Sequence, residues 1–177
     1  RPSAPSPAAK AAICVVGYRH EEVAGALGAS NLYVLSDNPT GGTAYAVFEV
    51  FSVPGLIETD PLLVITMGDR VVPAATFQRL LDTHTTGARE ADLTLLTARY
   101  EPPRHLGKGR VLRNESGRVT RIIEEKDISA EPEAITRQAL LNLTEGNCPL
   151  YAIRARALHR LLAPLTNANA QGQFYLT

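Results

Sequence analysis

The sequence has no surplus of either charge: 18 lysines and arginines balance 18 aspartates and glutamates, for a formal net charge of zero. Binding along a nucleic-acid backbone draws on many basic residues that displace counterions, so that function finds no support here. A local anion site needs only a few residues and stays open. Cysteine is scarce. Cys14 lies in an apolar run and Cys148 in a polar turn, which is no disulfide framework and fits a reducing, cytoplasmic setting. No apolar stretch approaches the roughly 20 residues of a membrane span. Residues 1–10, Pro/Ser/Ala-rich, lack the apolar core of a signal peptide and read as a disordered arm. His20, His84, His105 and His159 are scattered, with no pair at zinc-site spacing, and read as surface or packing residues. No serine or cysteine sits in a nucleophile elbow, which argues against a Ser/His/Asp hydrolase. There is no internal repeat.

What is present is an ordinary soluble composition, 45% apolar and 20% charged, in 177 residues, which is the size of one domain with a real core. Strands are expected at 12–16, 32–35, 62–66, 92–99 and 150–153. Helices are expected at 21–27, closed by Gly28, and at 44–51, 73–84 and 156–162. Segments 110–113 and 118–124 flank Asn114-Glu115-Ser116-Gly117, a hairpin signature. Residues 127–140 read as helix or irregular. Strands alternating with helices predict an α/β domain with a mixed, largely parallel sheet, in which ligands sit at the carboxyl ends of strands.

Candidate chemistry follows from position. Asp69 comes directly after the strongest strand, Leu62-Leu63-Val64-Ile65-Thr66, where a carboxylate reaches a nucleotide crevice. One such carboxylate holds Mg²⁺ when substrate phosphates complete the shell, and Gly68 lets a ligand approach the backbone. The plainer reading is a Gly-Asp turn. Gly41-Gly42-Thr43 precedes a helix and offers free N–H groups to an anion or a base edge, with Thr43 as a simple N-cap the alternative. It is not a P-loop. Glu124-Glu125-Lys126-Asp127 reads as a solvated charge run, a description that suits Glu125 and Lys126. Thr144-Glu145-Gly146-Asn147 reads as a turn whose Asn147 amide pairs a donor with an acceptor, and Asn142 is its rival for that part.

Five segments share a resemblance. The terminal run Leu165-Thr166-Asn167-Ala168-Asn169-Ala170-Gln171-Gly172-Gln173-Phe174-Tyr175-Leu176-Thr177 resembles the "LTNxNAQGExYxTD" of the bacterial N-acetylglucosamine-1-phosphate uridylyltransferases. Residues 109–127, from Gly109-Arg110-Val111 through Glu124-Glu125-Lys126-Asp127, resemble that family's "YGRIxRxxxGxVxxIVExKDA", with Lys108 in place of the Tyr. Val15-Val16-Gly17-Tyr18-Arg19-His20-Glu21-Glu22-Val23 is similar to its "VVGHxxExV". Ser36 and Pro39 stand where its base-cradling "Q-x-x-Q-x-G-T" has glutamines, and Asn147-Cys148-Pro149 where it has Asn-Thr-Gly.

The resemblance implies a three-layer, Rossmann-like nucleotidyltransferase domain of the GT-A type over residues 11–177, incomplete at both ends. The family's "LAAGxGTRM" loop would precede it and a second metal-binding Asn would follow. The implied reaction joins UTP to N-acetylglucosamine 1-phosphate, giving UDP-N-acetylglucosamine, a cell-wall precursor, and pyrophosphate. Asp69 would hold Mg²⁺. Ser36, Gly42, Thr43 and Gly68 would meet the nucleotide. Gly109, Glu124 and Asn147 would bind the sugar, and Thr177 would lie near its phosphate. The substrates are small molecules, with no nucleic acid or membrane partner. Two alternatives remain: a sugar-1-phosphate nucleotidyltransferase of different base or sugar, and a non-catalytic nucleotide-sugar-binding domain.

Overall fold

A computed structural model describes residues 11–86, 91–104 and 106–176. The arm at 1–10, His105 and Thr177 lie outside the described residues. The chain divides into two compact units, residues 11–58 with 173–176, and residues 59–172.

In the first unit, β1 (Ile13–Val16) and β2 (Leu32–Leu35) pair in parallel, Ile13 opposite Leu32 through Val16 opposite Leu35. Parallel neighbours need a crossover, and α1 (His20–Leu27) supplies it. Gly28 ends that helix at φ 83°, the left-handed conformation a glycine accepts without strain, as its sequence position predicts. The Tyr33 hydroxyl donates to the Gly28 carbonyl at 2.7 Å and ties the crossover to β2. The unit's second helix is α2 (Thr43–Ser52).

The second unit contains β3 (Leu62–Thr66), α3 (Ala74–Thr86), β4 (Leu93–Arg99), β5 (Arg110–Arg113) and β6 (Val119–Ile123). It continues with α4 (Glu125–Ser129), α5 (Ala134–Leu141), β7 (Glu145–Arg154) and α6 (Ala155–Leu162). Its five strands form one open sheet in which every described ladder is antiparallel, which corrects the expectation of a mostly parallel sheet. The reason is β7. It pairs antiparallel with both β3 and β4, and residues 152 and 153 pair with both at once, so the two partners lie on opposite edges of it. Thus β3 and β4, joined by a helix, do run in the same direction, but β7 is inserted between them. Gly146 pairs with both Ala98 of β4 and Arg110 of β5, which puts β5 on the β3 edge of β7. The β5–β6 hairpin turns at Asn114–Gly117 with Gly117 at φ 78°, as its signature predicts. The mixed α/β architecture, with helices and open sheets, is consistent with a Rossmann-like fold.

β7 is also longer than the expected 150–153, and Asn147 lies inside it rather than in a turn. Gly146, Asn147 and Pro149 are poor strand formers, which hid its first half. The ladder tolerates Pro149, which has no N–H to donate, because the register shifts there: Leu95 faces Tyr151 while Leu96 faces Cys148. The second half, Leu150 to Ile153, is at most 5% exposed along its whole length, so both faces are covered. Leu80, Leu150 and Ala152 form the core, with Leu62, Val72, Phe77 and Leu96 against them. Burying a side chain such as Leu150 contributes about 2–3 kcal/mol. Among the described residues no helix is long and apolar enough to cross a membrane.

Candidate functional site

In the second unit, the chain leaves β3 through Met67-Gly68-Asp69-Arg70, a turn closed by the Arg70 N–H on the Met67 carbonyl at 3.3 Å. A side chain at Gly68 would meet nothing within 4 Å, so its backbone faces open space. The Asp69 carboxylate is 71% exposed and touches only the Arg70 Nε, at 3.6 Å, too far for a hydrogen bond. A hard oxygen donor so little engaged fits the Mg²⁺ mode in which one carboxylate and substrate phosphates share the ion. An all-protein cage does not fit: among the described residues no three His, Cys, Asp or Glu side chains gather.

Gly109, Glu124 and Asn147 come from three separate segments and meet. A Cβ on Gly109 would lie 2.8 Å from Glu124 Oε1, so the carboxylate sits directly over the glycine. The Gly109 carbonyl accepts from the Asn147 N–H at 2.9 Å, where the entry to β5 runs beside β7. Asn147 is 8% exposed; its Nδ2 donates to the Tyr151 hydroxyl at 2.8 Å, and its Oδ1 is buried with no partner. An unpaired buried carbonyl oxygen costs roughly 1–3 kcal/mol unless a ligand donor satisfies it. Asn142, the rival, is exposed at the end of α5 and accepts from Gln138. Burial pushes the Tyr151 phenol up to about 12, with the Glu124 charge adding to the rise. Tyr151 is therefore a neutral donor near neutral pH, not a base.

The loop into β5 is clamped by a pair that the charge-run reading of Glu125 overlooks. Arg110 is fully buried; its guanidinium donates to the Lys108 carbonyl and, at 2.7 Å, to Glu125 Oε2. The same Glu125 oxygen accepts from the Gly107 N–H at 2.8 Å. Residues 107–110 are thus fixed from within, and Gly109 with them. Glu125 is a structural ion-pair partner, whereas Lys126 is exposed as expected. The available signal was Arg110 itself, an arginine at the head of a strand that continues with apolar Val111 and Leu112.

Beside this patch lies a cleft of about 240 Å³, bounded by Arg70, Tyr100, Lys108, Asn147 and Cys148 and otherwise mostly apolar. The Lys108 Nζ lies 5.6 Å from the centre of the Tyr100 ring, a cation–π distance. The Tyr100 hydroxyl and Cys148 Sγ are 3.1 Å apart, and that hydrogen bond leads the effects that push the phenol up to about 12. Both cysteines are free thiols.

Of the nucleotide-side candidates, Ser36, Gly42 and Thr43 belong to the first unit and Gly68 to the second. Ser36 leaves β2 with its N–H on the Val16 carbonyl at 2.8 Å. Next to it, buried Glu49 accepts from the Asp37 N–H at 2.8 Å, and the Tyr45 hydroxyl donates to Asp37 at 2.7 Å. Pro39 packs on Gly17, where a Cβ would come within 2.9 Å of it. Gly42, not Thr43, is the N-cap of α2, at φ 102°. Segment 173–176 lies along this helix start. The Phe174 N–H donates to the Gly41 carbonyl at 2.8 Å, the Ala44 N–H to the Phe174 carbonyl at 2.9 Å, and the Leu176 N–H to Thr43 Oγ1 at 3.0 Å. The Thr43 hydroxyl thus anchors the terminal motif instead of capping the helix. Thr177 lies outside the described residues.

No family model matches the chain. Similarity to individual proteins is extensive. The chain is 36% identical over 166 residues to the Bifunctional protein GlmU of Geobacillus thermodenitrificans, which covers 93% of this chain and 33% of that protein. It is 38% identical over 166 residues to the Bifunctional protein GlmU of Limosilactobacillus fermentum, and 35% over 165 residues to that of Bacillus subtilis, with the same coverage. The chain spans about a third of the length of these curated relatives.

Proposed function

We propose, for a chain that belongs to the GlmU family over the stretch the two share, that it is part of an enzyme transferring a nucleotidyl group from UTP to N-acetylglucosamine 1-phosphate. The observation that carries the reading is the meeting of Gly109, Glu124 and Asn147, with the Asn147 amide oxygen buried and unsatisfied. That oxygen accepts from a hydroxyl or amide N–H of the sugar. The Glu124 carboxylate accepts from a second hydroxyl, and Gly109 keeps the backbone low enough for the ring to approach. The charge-assisted bond to Glu124 contributes about 1.5–3 kcal/mol, and the neutral one to Asn147 about 0.5–1.5 kcal/mol.

An oxygen of the acceptor phosphate attacks the α-phosphorus of UTP, and pyrophosphate leaves. The attacking oxygen is already anionic, so no general base is needed, in keeping with two phenols that stay protonated. Asp69 would hold Mg²⁺, which when bound neutralises the charge developing on the phosphates. The chain's own residues orient the acceptor and restrict its freedom before reaction. Ser36, Gly42, Thr43 and Gly68 would meet the nucleotide.

A different base is the second reading. Ser36 and Pro39 replace the two amides of the resembled base-binding segment, and Pro39 is spent in packing on Gly17. The test is pyrophosphate release with UTP, dTTP, GTP and ATP, each with N-acetylglucosamine 1-phosphate, in Mg²⁺ and in EDTA. UTP-dependent release that EDTA abolishes and Asp69→Asn lowers at least a hundredfold is the expected result. Preference for another nucleotide selects the second reading. Full activity in Asp69→Asn removes the metal assignment.

A further inference from the structure

We propose that Arg70 and Lys108 form an anion subsite in the second unit's cleft and that it holds the phosphate of the acceptor. The inference rests on the reading of the Gly109–Glu124–Asn147 patch as the sugar site, which this cleft adjoins at Asn147, and adds what that reading leaves open. Both cations border the cleft. Among the described residues, Arg70 has one ion-pair partner, the exposed Asp69 at 3.6 Å, and Lys108 has none. Lys108 rests on the Tyr100 face, which holds its ammonium at the cleft without neutralising it. Part of the remaining wall is apolar, including Val72, Leu96 and Leu150. Charge attraction is stronger beside such a wall than in open water.

Asn147 supplies the second, independent observation. It lines the same cleft, is 8% exposed, and carries the buried Oδ1 without a partner. A bare anion offers that oxygen no donor. A ligand that satisfies all three residues must present negative charge to Arg70 and Lys108 and a hydroxyl or amide N–H to Asn147. A sugar phosphate has both. The volume of about 240 Å³ lies below the roughly 300–1,000 Å³ of drug-sized pockets, which suits a monosaccharide better than a complete nucleotide sugar. Lys108 stands where the resembled family has Tyr, so the chain adds a positive charge at this point.

The test is calorimetric titration of the chain with N-acetylglucosamine 1-phosphate, N-acetylglucosamine and inorganic phosphate. It is repeated for Lys108→Met, Lys108→Arg and Arg70→Gln, with circular dichroism to confirm folding. The sugar phosphate is expected to bind the unaltered chain more tightly than either part alone. Lys108→Met and Arg70→Gln should each weaken it about tenfold or more, as expected for loss of a charge-assisted contact. Lys108→Arg should keep most of the affinity, and binding of the uncharged sugar should not change. Equal affinity in the charge-removing variants would overturn the subsite while leaving the acceptor reading intact. Inorganic phosphate binding as tightly as the sugar phosphate, and losing affinity in the same variants, would uphold the subsite and remove the acceptor reading. No binding by any of the three ligands would overturn both.

Discussion

Two glycines show how differently the two units use the same residue. Gly42 sits at φ 102°, and a Cβ there would lie 2.5 Å from the Phe174 carbonyl oxygen. Its obstacle is backbone that cannot yield. Gly109 would place a Cβ 2.8 Å from Glu124 Oε1, the far end of a side chain that can swing away. The first glycine is therefore required by the fold and the second by what Glu124 does. The contrast extends to the neighbours. Around Gly42, the Thr43 hydroxyl and the Ala44 N–H are taken up by segment 173–176. Around Gly109, a buried acceptor is left over on Asn147. Unmet hydrogen-bonding capacity in a buried place costs stability unless a ligand supplies the donor.

The largest effect that sharpens this comparison is expected at Arg110. Arg110→Ala removes a fully buried guanidinium that fixes residues 107–110 and leaves Glu125 without its partner. The loss should be about 3 kcal/mol in urea unfolding, at the lower end of the range for broken buried pairs because Glu125 is 25% exposed. Sugar-phosphate binding should fall with it. Next in size is Gly42→Ala, which strains both φ and the Phe174 contact and should destabilise by about 2 kcal/mol. A change below about 0.5 kcal/mol would break the contrast between the glycines.

The smallest effect concerns an ion pair of the same sheet that the acceptor patch does not use. Glu145 takes two hydrogen bonds from Arg113, which hold its carboxyl at about 2, below its usual 4.5. A depressed carboxyl stabilises the fold above the unfolded value near 4.5, and that contribution is lost as the pH falls towards 2. Arg113 is 38% exposed, so solvent screening limits the contribution to under about 1 kcal/mol. In an NMR titration, Arg113→Met should bring the Glu145 carboxyl back up towards 4.5, with sugar-phosphate affinity unchanged.

The sequence carried the local elements whose period is plain. β2, β3 and β5 keep their expected bounds because short apolar or alternating runs between turn residues leave little choice. Strand direction was harder to read. A helix between β3 and β4 indicates that they run the same way, and nothing local indicates that a strand some fifty residues further on inserts between them. The start of β7 was hidden by Gly146, Asn147 and Pro149, whose preferences the sheet overrides with a register shift. At the site, Gly109, Glu124 and Asn147 could be singled out by resemblance, but their meeting depends on the β5–β7 ladder, which is non-local. The clamp by Arg110 and Glu125 was masked by a charge run that looks solvated, and the role of Thr43 by its N-cap position. In both places a contact from elsewhere in the chain decides between two readings that the local sequence leaves level.

Whether the second unit binds the acceptor sugar through the Gly109–Glu124–Asn147 patch is decided by Gly109→Ala. Its thermal unfolding and its calorimetric affinity for N-acetylglucosamine 1-phosphate would be measured beside the unaltered chain. The expected result is a stability change below about 1 kcal/mol, because the obstructing Glu124 oxygen can move, together with affinity lowered at least tenfold, because it has moved. Unchanged affinity in a variant whose stability is also unchanged would contradict it.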